Sequence, residues 1–181
     1  MALTIWLNPV NTSEQIELQD SWLAITVLKQ QYLKELLPTG GLKETQVYTT
    51  NIVYPEWTIG SPLKCLKLTQ NYYYYHKALD LIPKCNNYNI FVIDSGDIIF
   101  SGWQTGYGNR IEVQHKNGFI STYSHLSKTM NQVGDQVNKG DVIGIMGSTG
   151  RSTGPHLHFE LIYGGIKLNP MYYLKKYLYE K

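Results

Sequence analysis

Charge is sparse in this chain, and what there is nearly cancels. Only 17% of its 181 residues are Asp, Glu, Lys or Arg, and the formal net charge is +2. So small an excess carries no electrostatic footprint for nucleic acid, and it favours anionic wall polymers only weakly. Cysteine is almost absent. Cys65 and Cys85 form no Cys-x-x-Cys pair, which excludes a four-cysteine zinc site. They can bridge each other if the fold brings them close, but two free buried thiols are the expectation. No apolar run reaches the length of a transmembrane helix, and Met1 to Leu7 lacks the basic leader and apolar core of a signal peptide. A substrate outside the membrane would require a chain excised from a longer protein or delivered by another route. Internal repeats and low-complexity linkers are missing as well.

What is present suits one domain with an appended segment. Hydrophobic residues make up 43%, and tyrosine is abundant, with 15 residues against 4 Phe and 4 Trp. Thr12-Ser13-Glu14 supplies a helix start, and Ile16, Trp22, Leu23, Val27, Leu33 and Leu37 follow at roughly helical spacing. Pro38 and Gly40-Gly41 end it. The spacing predicts a helix over 13–37, within an N-terminal helical segment 1–45. The rest, 46–181, is a second unit of β character. Short β-rich runs recur at 47–54, 65–68, 72–75, 89–93, 98–103, 110–115, 119–125, 142–146 and 156–162. Asp94-Ser95-Gly96-Asp97 and Lys116-Asn117-Gly118 read as hairpin-like punctuation. Met171 to Tyr179, after Pro170, reads as a short amphipathic helix. The fold class is therefore mainly β: a small antiparallel sheet domain with an N-terminal helical segment and a short C-terminal helix.

Histidine is scarce too, which makes its placement informative. The five are His76, His115, His125, His156 and His158. In a strand, residues two apart share a face. His156, His158 and Glu160 then line one face while Leu157, Phe159 and Leu161 line the other, so an apolar face can anchor imidazoles over a cleft. An isolated His-x-His is more often the polar face of an ordinary strand. His76 and Asp80, four apart, can converge on one ion from a helical turn or a tight loop. A nitrogen, a carboxylate oxygen and one further ligand suit zinc with an open fourth position. Taken alone, that pair is also commonly a surface contact. Alternation places Tyr123 and His125 on one strand face, where a lone histidine is usually structural.

Taken together these elements are less ordinary. His76-x-x-x-Asp80, Tyr123-x-His125-Leu126 and the run from Gly147 through Gly154-Pro155-His156-Leu157-His158-Phe159-Glu160 strongly resemble the lysostaphin/LytM-type zinc endopeptidases. Gly102-Trp103, Gly106-Tyr107-Gly108-Asn109 and the Gly134 to Gly144 stretch fit the same frame, and the likeness covers about residues 70 to 170. The resemblance implies one Zn2+ per chain held by His76, Asp80 and His158, with His125 and His156 as the catalytic, non-ligand histidines. It also implies a small antiparallel β domain with its site in a groove. Tyr107, Asn109, Tyr123 and Thr153 are candidate substrate-binding residues, with turn and strand packing an equal alternative for each. His115 matches no functional position. Ala78 and Leu81 depart from the family pattern, so the His76–Asp80 loop is expected to take its own shape.

The implied function is a zinc metalloendopeptidase that hydrolyses peptide cross-links or stem peptides of bacterial peptidoglycan. It would act extracellularly or in the cell-wall space, without a nucleic-acid partner, and a phage-borne lysin is one source that fits. A catalytically silent peptidoglycan-binding or amidase-activating module of the same fold is the main alternative. A lipoyl-type or phosphotransferase-type carrier domain, suggested by the Gly134 to Gly144 rhythm, leaves His76, Asp80 and His125 unexplained.

Overall fold

A computed structural model describes residues 57–179. The expected helix over 13–37, the segment 1–45 that holds it and the expected strand over 47–54 lie outside the described residues. Within them, ten strands form one antiparallel sheet system, followed by a single helix. In chain order the strands are β1 (Leu66–Gln70), β2 (Leu79–Pro83), β3 (Asn89–Phe91), β4 (Gly96–Gln104) and β5 (Gly108–His115). They continue as β6 (Phe119–Thr129), β7 (Gln136–Val137), β8 (Val142–Met146), β9 (Leu157–Tyr163) and β10 (Ile166–Leu168), and the helix α1 spans Met171–Tyr179. Hydrogen-bonded neighbours run β1-β2-β9-β6-β5-β4-β7, with β10 on β9, β8 on β6 and β3 on β8.

The longest strand organises the rest. β6 offers one edge to β5 along most of its length. Its other edge is shared: β9 pairs with Phe119 to Ser124, and β8 takes over from Leu126. A strand of 11 residues is long enough to serve two partners in succession. Where they part, the 147–156 connection leaves β8 and returns to β9, closed by a bridge between Gly147 and His156.

Alternation explains the core. Leu157, Phe159 and Leu161 of β9 are fully buried, as are Leu79 and Leu81 of β2 and Ile111 and Val113 of β5. Trp57 packs on Phe119 and Tyr173, and the Tyr177 hydroxyl donates to the Ile59 carbonyl at 2.7 Å. The α1 N-terminus is capped by the Asn169 side chain, which accepts from the Met171 amide at 3.0 Å. His115 is structural. Its Nδ1–H donates to the Ser95 carbonyl at 3.0 Å, Nε2 meets the Ser121 hydroxyl at 2.8 Å, and burial pushes its pKa down.

Several expectations need correction. Residues 72–75 are not a strand; Tyr73 and His76 exchange backbone hydrogen bonds at 2.9 and 3.0 Å around a Tyr74-Tyr75 turn. The β propensity of tyrosine yields there to the need for a tight connection between β1 and β2. Strand β2, which carries Asp80, was not anticipated, nor were the short β7 and β10. Asp94 to Asp97 is a connection rather than a hairpin, because β3 pairs with β8 and β4 with β5 and β7. Lys116-Asn117-Gly118 does turn the β5–β6 hairpin.

The cysteines are not free thiols. Cys65, just before β1, is disulfide-bonded to Cys85, just after β2, with Cα atoms 5.8 Å apart. The half-cystines sit at the sheet edge, Cys65 being exposed, so the burial expected of free thiols does not arise. The bridge closes a loop of 20 residues that contains both His76 and Asp80. Among the described residues β1 has β2 as its only strand partner, and the bridge adds a covalent restraint at the ends of this hairpin. Replacing both cysteines by serine is expected to cost about 3 kcal/mol in denaturant unfolding, the entropy of a loop of this size. Hydrogen exchange should quicken between β1 and β2. Unchanged unfolding would mean that packing alone holds the hairpin.

Candidate metal centre

Three strands and one turn bring the site together. Asp80 of β2 lies directly opposite His158 of β9 in the antiparallel register, and His158 lies opposite Ser124 of β6. Paired residues project to the same face, so Asp80 and His158 meet by pairing alone. His158 Nδ1 is 2.9 Å from Asp80 Oδ1. His76, leaving the tyrosine turn, places Nε2 3.2 Å from the same oxygen. Ligand atoms of His76, Asp80 and His158 all lie within 4.8 Å of one another. Two imidazole nitrogens and one carboxylate oxygen at this spacing fit a zinc ion with one position left open.

His125 arrives by a different route. Regular alternation would send it into the core with Tyr123. Instead β6 bulges: Asn109 pairs with Leu126 but Ile111 pairs with Tyr123, which leaves an extra residue on β6 between those pairs. His125 takes a left-handed backbone, φ 64°, and its ring turns to the pocket. Its amide donates to the Tyr107 carbonyl at 2.9 Å, and its Nδ1–H to the Thr149 carbonyl at 2.8 Å. Tyr123 goes the other way. It is fully buried, with its hydroxyl accepting from the Ile93 amide at 3.0 Å and bonded to Ser121. The expected common face of Tyr123 and His125 is thus broken at the bulge.

Each pocket imidazole has at least one nitrogen engaged by a protein acceptor. His76 Nδ1–H donates to the Asn71 carbonyl at 3.0 Å, and His156 Nδ1–H to the Gly154 carbonyl at 2.8 Å. Carbonyls can only accept, so these bonds place the proton on Nδ1 and leave Nε2 of His76, His125 and His156 for the pocket. His156 Nε2 lies 3.7 Å from Asp80 Oδ1, and the His125 and His156 rings are 4.8 Å apart. The pocket, of about 530 Å³, holds His76, Asp80, His125, His156 and His158 together, with Tyr107 and Thr153 on its wall. Asn109 does not line it. Its side chain donates to the Leu126 carbonyl at 3.1 Å and its amide to Thr149 Oγ1 at 3.0 Å, which ties the 147–156 connection down.

Residues 74–170 match the model of peptidase family M23. The chain belongs to that family. It is similar to the DD-carboxypeptidase/endopeptidase Mpg of Neisseria meningitidis, 49% identical over 76 residues, covering 42% of this chain and 17% of that protein. Peptidoglycan DD-endopeptidase ShyC of Vibrio cholerae is 38% identical over 95 residues, covering 52% of this chain and 22% of that protein. The catalytic domain of lysostaphin, an antimicrobial peptidase from Staphylococcus simulans, superposes with a TM-score of 0.52 at 38% identity, covering 55% of this chain and 79% of that one. The chain spans about a fifth of the length of these two curated relatives.

Sequence reasoning missed several residues of this M23 site. Gln70, Gly106, Gly150, Arg151 and Ser152 also line the pocket, the last three within the Gly147 to Gly154 run that carried the resemblance. Gly150, at φ 71°, packs backbone to backbone on the β4–β5 turn; a Cβ there would meet the Tyr107 carbonyl carbon and Gly108 Cα at 2.8 Å. That close approach brings the Thr149 carbonyl to His125.

Charge in the M23 pocket is balanced by contact. Burial alone would raise the Asp80 pKa, but His158, His76 and His156 around it hold the carboxyl below its usual range. Burial lowers that of His125, with the neighbouring imidazoles adding to the effect against the Thr149 bond. For His158 burial is outweighed by Asp80 and Glu160, and the net shift is upward.

The bulge yields a stability prediction. A left-handed backbone is open to Gly, is adopted by Asn, Asp and His more readily than by other residues, and costs a β-branched residue most, about 1 kcal/mol or more. His125→Asn should therefore unfold close to the parent in denaturant, whereas His125→Val should lose more than about 1 kcal/mol. Equal stabilities would mean that His125 carries no backbone constraint.

Proposed function

We propose that this chain is a zinc-dependent endopeptidase that hydrolyses peptide bonds of bacterial peptidoglycan. The carrying observation is the convergence of His76, Asp80 and His158 on one point, with two further imidazoles facing the same pocket. The named activities of the peptidoglycan relatives support the substrate class.

In this reading His76 Nε2, an Asp80 carboxylate oxygen and His158 Nδ1 hold one zinc ion per chain. When bound, the zinc would supply Lewis acidity toward a carbonyl oxygen or a water. His125 and His156 are the catalytic residues that do not bind metal. Each presents an Nε2 able to take a proton from the attacking water or to hold a hydrogen bond on the developing oxyanion. Their Nδ1–H bonds to Thr149 and Gly154 keep both rings aimed, so little reorganisation is needed as charge develops. Tyr107 and Thr153 on the pocket wall suit contact with a peptide backbone. Asn109 and Tyr123 are better assigned to holding the pocket's shape than to touching substrate. The substrate places the action in the cell-wall space.

Purified protein should contain about one zinc per chain, and chelation should abolish release of new amino termini from purified walls. His158→Ala should lose at least about 100-fold in activity while keeping a native circular dichroism spectrum. A silent binding module would carry no stoichiometric zinc and would release nothing. Full activity in His158→Ala, or after thorough chelation, would sink the metalloenzyme reading.

A further inference from the structure

Beneath the pocket lies a cluster of buried charges that the reaction does not use. Glu160 of β9 is 1% exposed and Arg110 of β5 is 4% exposed. All polar contacts of the Glu160 carboxylate are made inside the protein. Oε1 accepts from Lys167 Nζ at 2.6 Å and faces His158 Nε2 at 3.1 Å. Oε2 accepts from Thr122 Oγ1 at 3.3 Å and Arg110 Nη2 at 3.4 Å. Lys167 Nζ also donates to the Tyr107 hydroxyl at 3.0 Å, and the Tyr107 ring lies over the Arg110 guanidinium at 4.4 Å.

Stability alone is a poor reason for such a cluster. Withdrawing each ion from water costs several kcal/mol, and well-packed apolar residues of similar volume often serve a core equally well. The distinctive feature is where the cluster ends. Its charged contact with the metal-site residues is Glu160 Oε1 on His158 Nε2, beside which the Tyr107 ring packs on the His158 ring at 5.7 Å. The opposite ring nitrogen, Nδ1, faces Asp80.

We propose that Glu160 is a positioning residue: it keeps the His158 proton on Nε2 and the ring unflipped, so that Nδ1 is the nitrogen offered to zinc. A carboxylate pinned by Lys167, Arg110 and Thr122 cannot follow the ring, so the ring must keep to the carboxylate. Turning the imidazole over would put carbon atoms against both Asp80 and Glu160, losing two charge-assisted bonds at once. Lys167 acts one step further out, holding Glu160 and the pocket-wall Tyr107 together. The role rests on the zinc reading above, since it concerns how a ligand is presented.

The test uses zinc affinity and the location of one proton. Glu160→Gln keeps the side-chain shape but turns an amide donor toward Lys167 or Arg110, and Lys167→Met removes a pinning cation without touching His158. Competition with a chromophoric chelator should give affinity about 10- to 100-fold weaker for Glu160→Gln, the usual effect of altering a ligand's hydrogen-bond partner, here by replacing a charged acceptor with a neutral amide, with a smaller loss for Lys167→Met. In zinc-loaded parent protein, nitrogen-15 NMR of the imidazoles should find the His158 proton on Nε2. A folded Glu160→Gln protein with affinity within about two-fold of the parent would overturn the proposal, as would a proton on Nδ1. If Glu160→Gln does not fold, parent-like affinity in Lys167→Met overturns it instead. Failure of the parent protein itself to take up zinc would refute the zinc reading and leave a native, metal-free protein as its signature.

Discussion

The pairing of Asp80 with His158 across β2 and β9 is the constraint on which the site depends. It is a backbone register before it is a side-chain contact, because residues opposite each other in an antiparallel ladder share a face. A slip of one residue would turn Asp80 into the core and Leu79 or Leu81 toward the pocket. The fully buried leucines on either side therefore do more than fill space. They make the wrong register expensive, by roughly 1.5 to 3 kcal/mol for each apolar side chain brought into water. The disulfide at the ends of the β1–β2 hairpin acts on the same element, limiting how far the strand that carries Asp80 can stray.

A second constraint is the change of partner along β6. A regular sheet would leave no room for a pocket at its centre. Here β9 ends its pairing at Ser124 and β8 begins at Leu126, with the bulge at His125 between them. The break frees one residue from alternation, and that residue is a catalytic candidate. The 147–156 connection fills the break from above, and backbone carbonyls at both of its ends, Thr149 and Gly154, accept from His125 and His156. In the proposed reading, metal ligation and proton handling would rest on different supports: register for Asp80 and His158, a bulge and a loop for His125 and His156.

This division also explains what could be seen in the sequence. Strand alternation at His156-Leu157-His158-Phe159-Glu160 was readable, since the apolar partners Leu157, Phe159 and Leu161 are all buried as it requires. The helix Met171–Tyr179 was readable from Pro170 and its spacing. Strand β2 was not, because a short run ending in Pro83 looks like loop until β9 is beside it. The His125 bulge leaves no mark on an alternating pattern, so Tyr123 was given the wrong face. Asn109 and Tyr123 carry polar groups that suit a substrate as well as they suit a carbonyl or an amide in the protein, and tertiary contacts decide between the two. The disulfide was equally hidden, for two cysteines 20 residues apart say nothing of distance until the hairpin between them closes.

The central claim is that one zinc ion sits among His76, Asp80 and His158. Diffraction collected on either side of the zinc absorption edge, from crystals grown without added chelator, locates the metal directly. The account predicts a single anomalous peak bonded to His76 Nε2, an Asp80 carboxylate oxygen and His158 Nδ1, with His125 and His156 nearby but unbonded. A peak held by His125 or His156, or zinc-supplied crystals with no peak in this pocket, would contradict it.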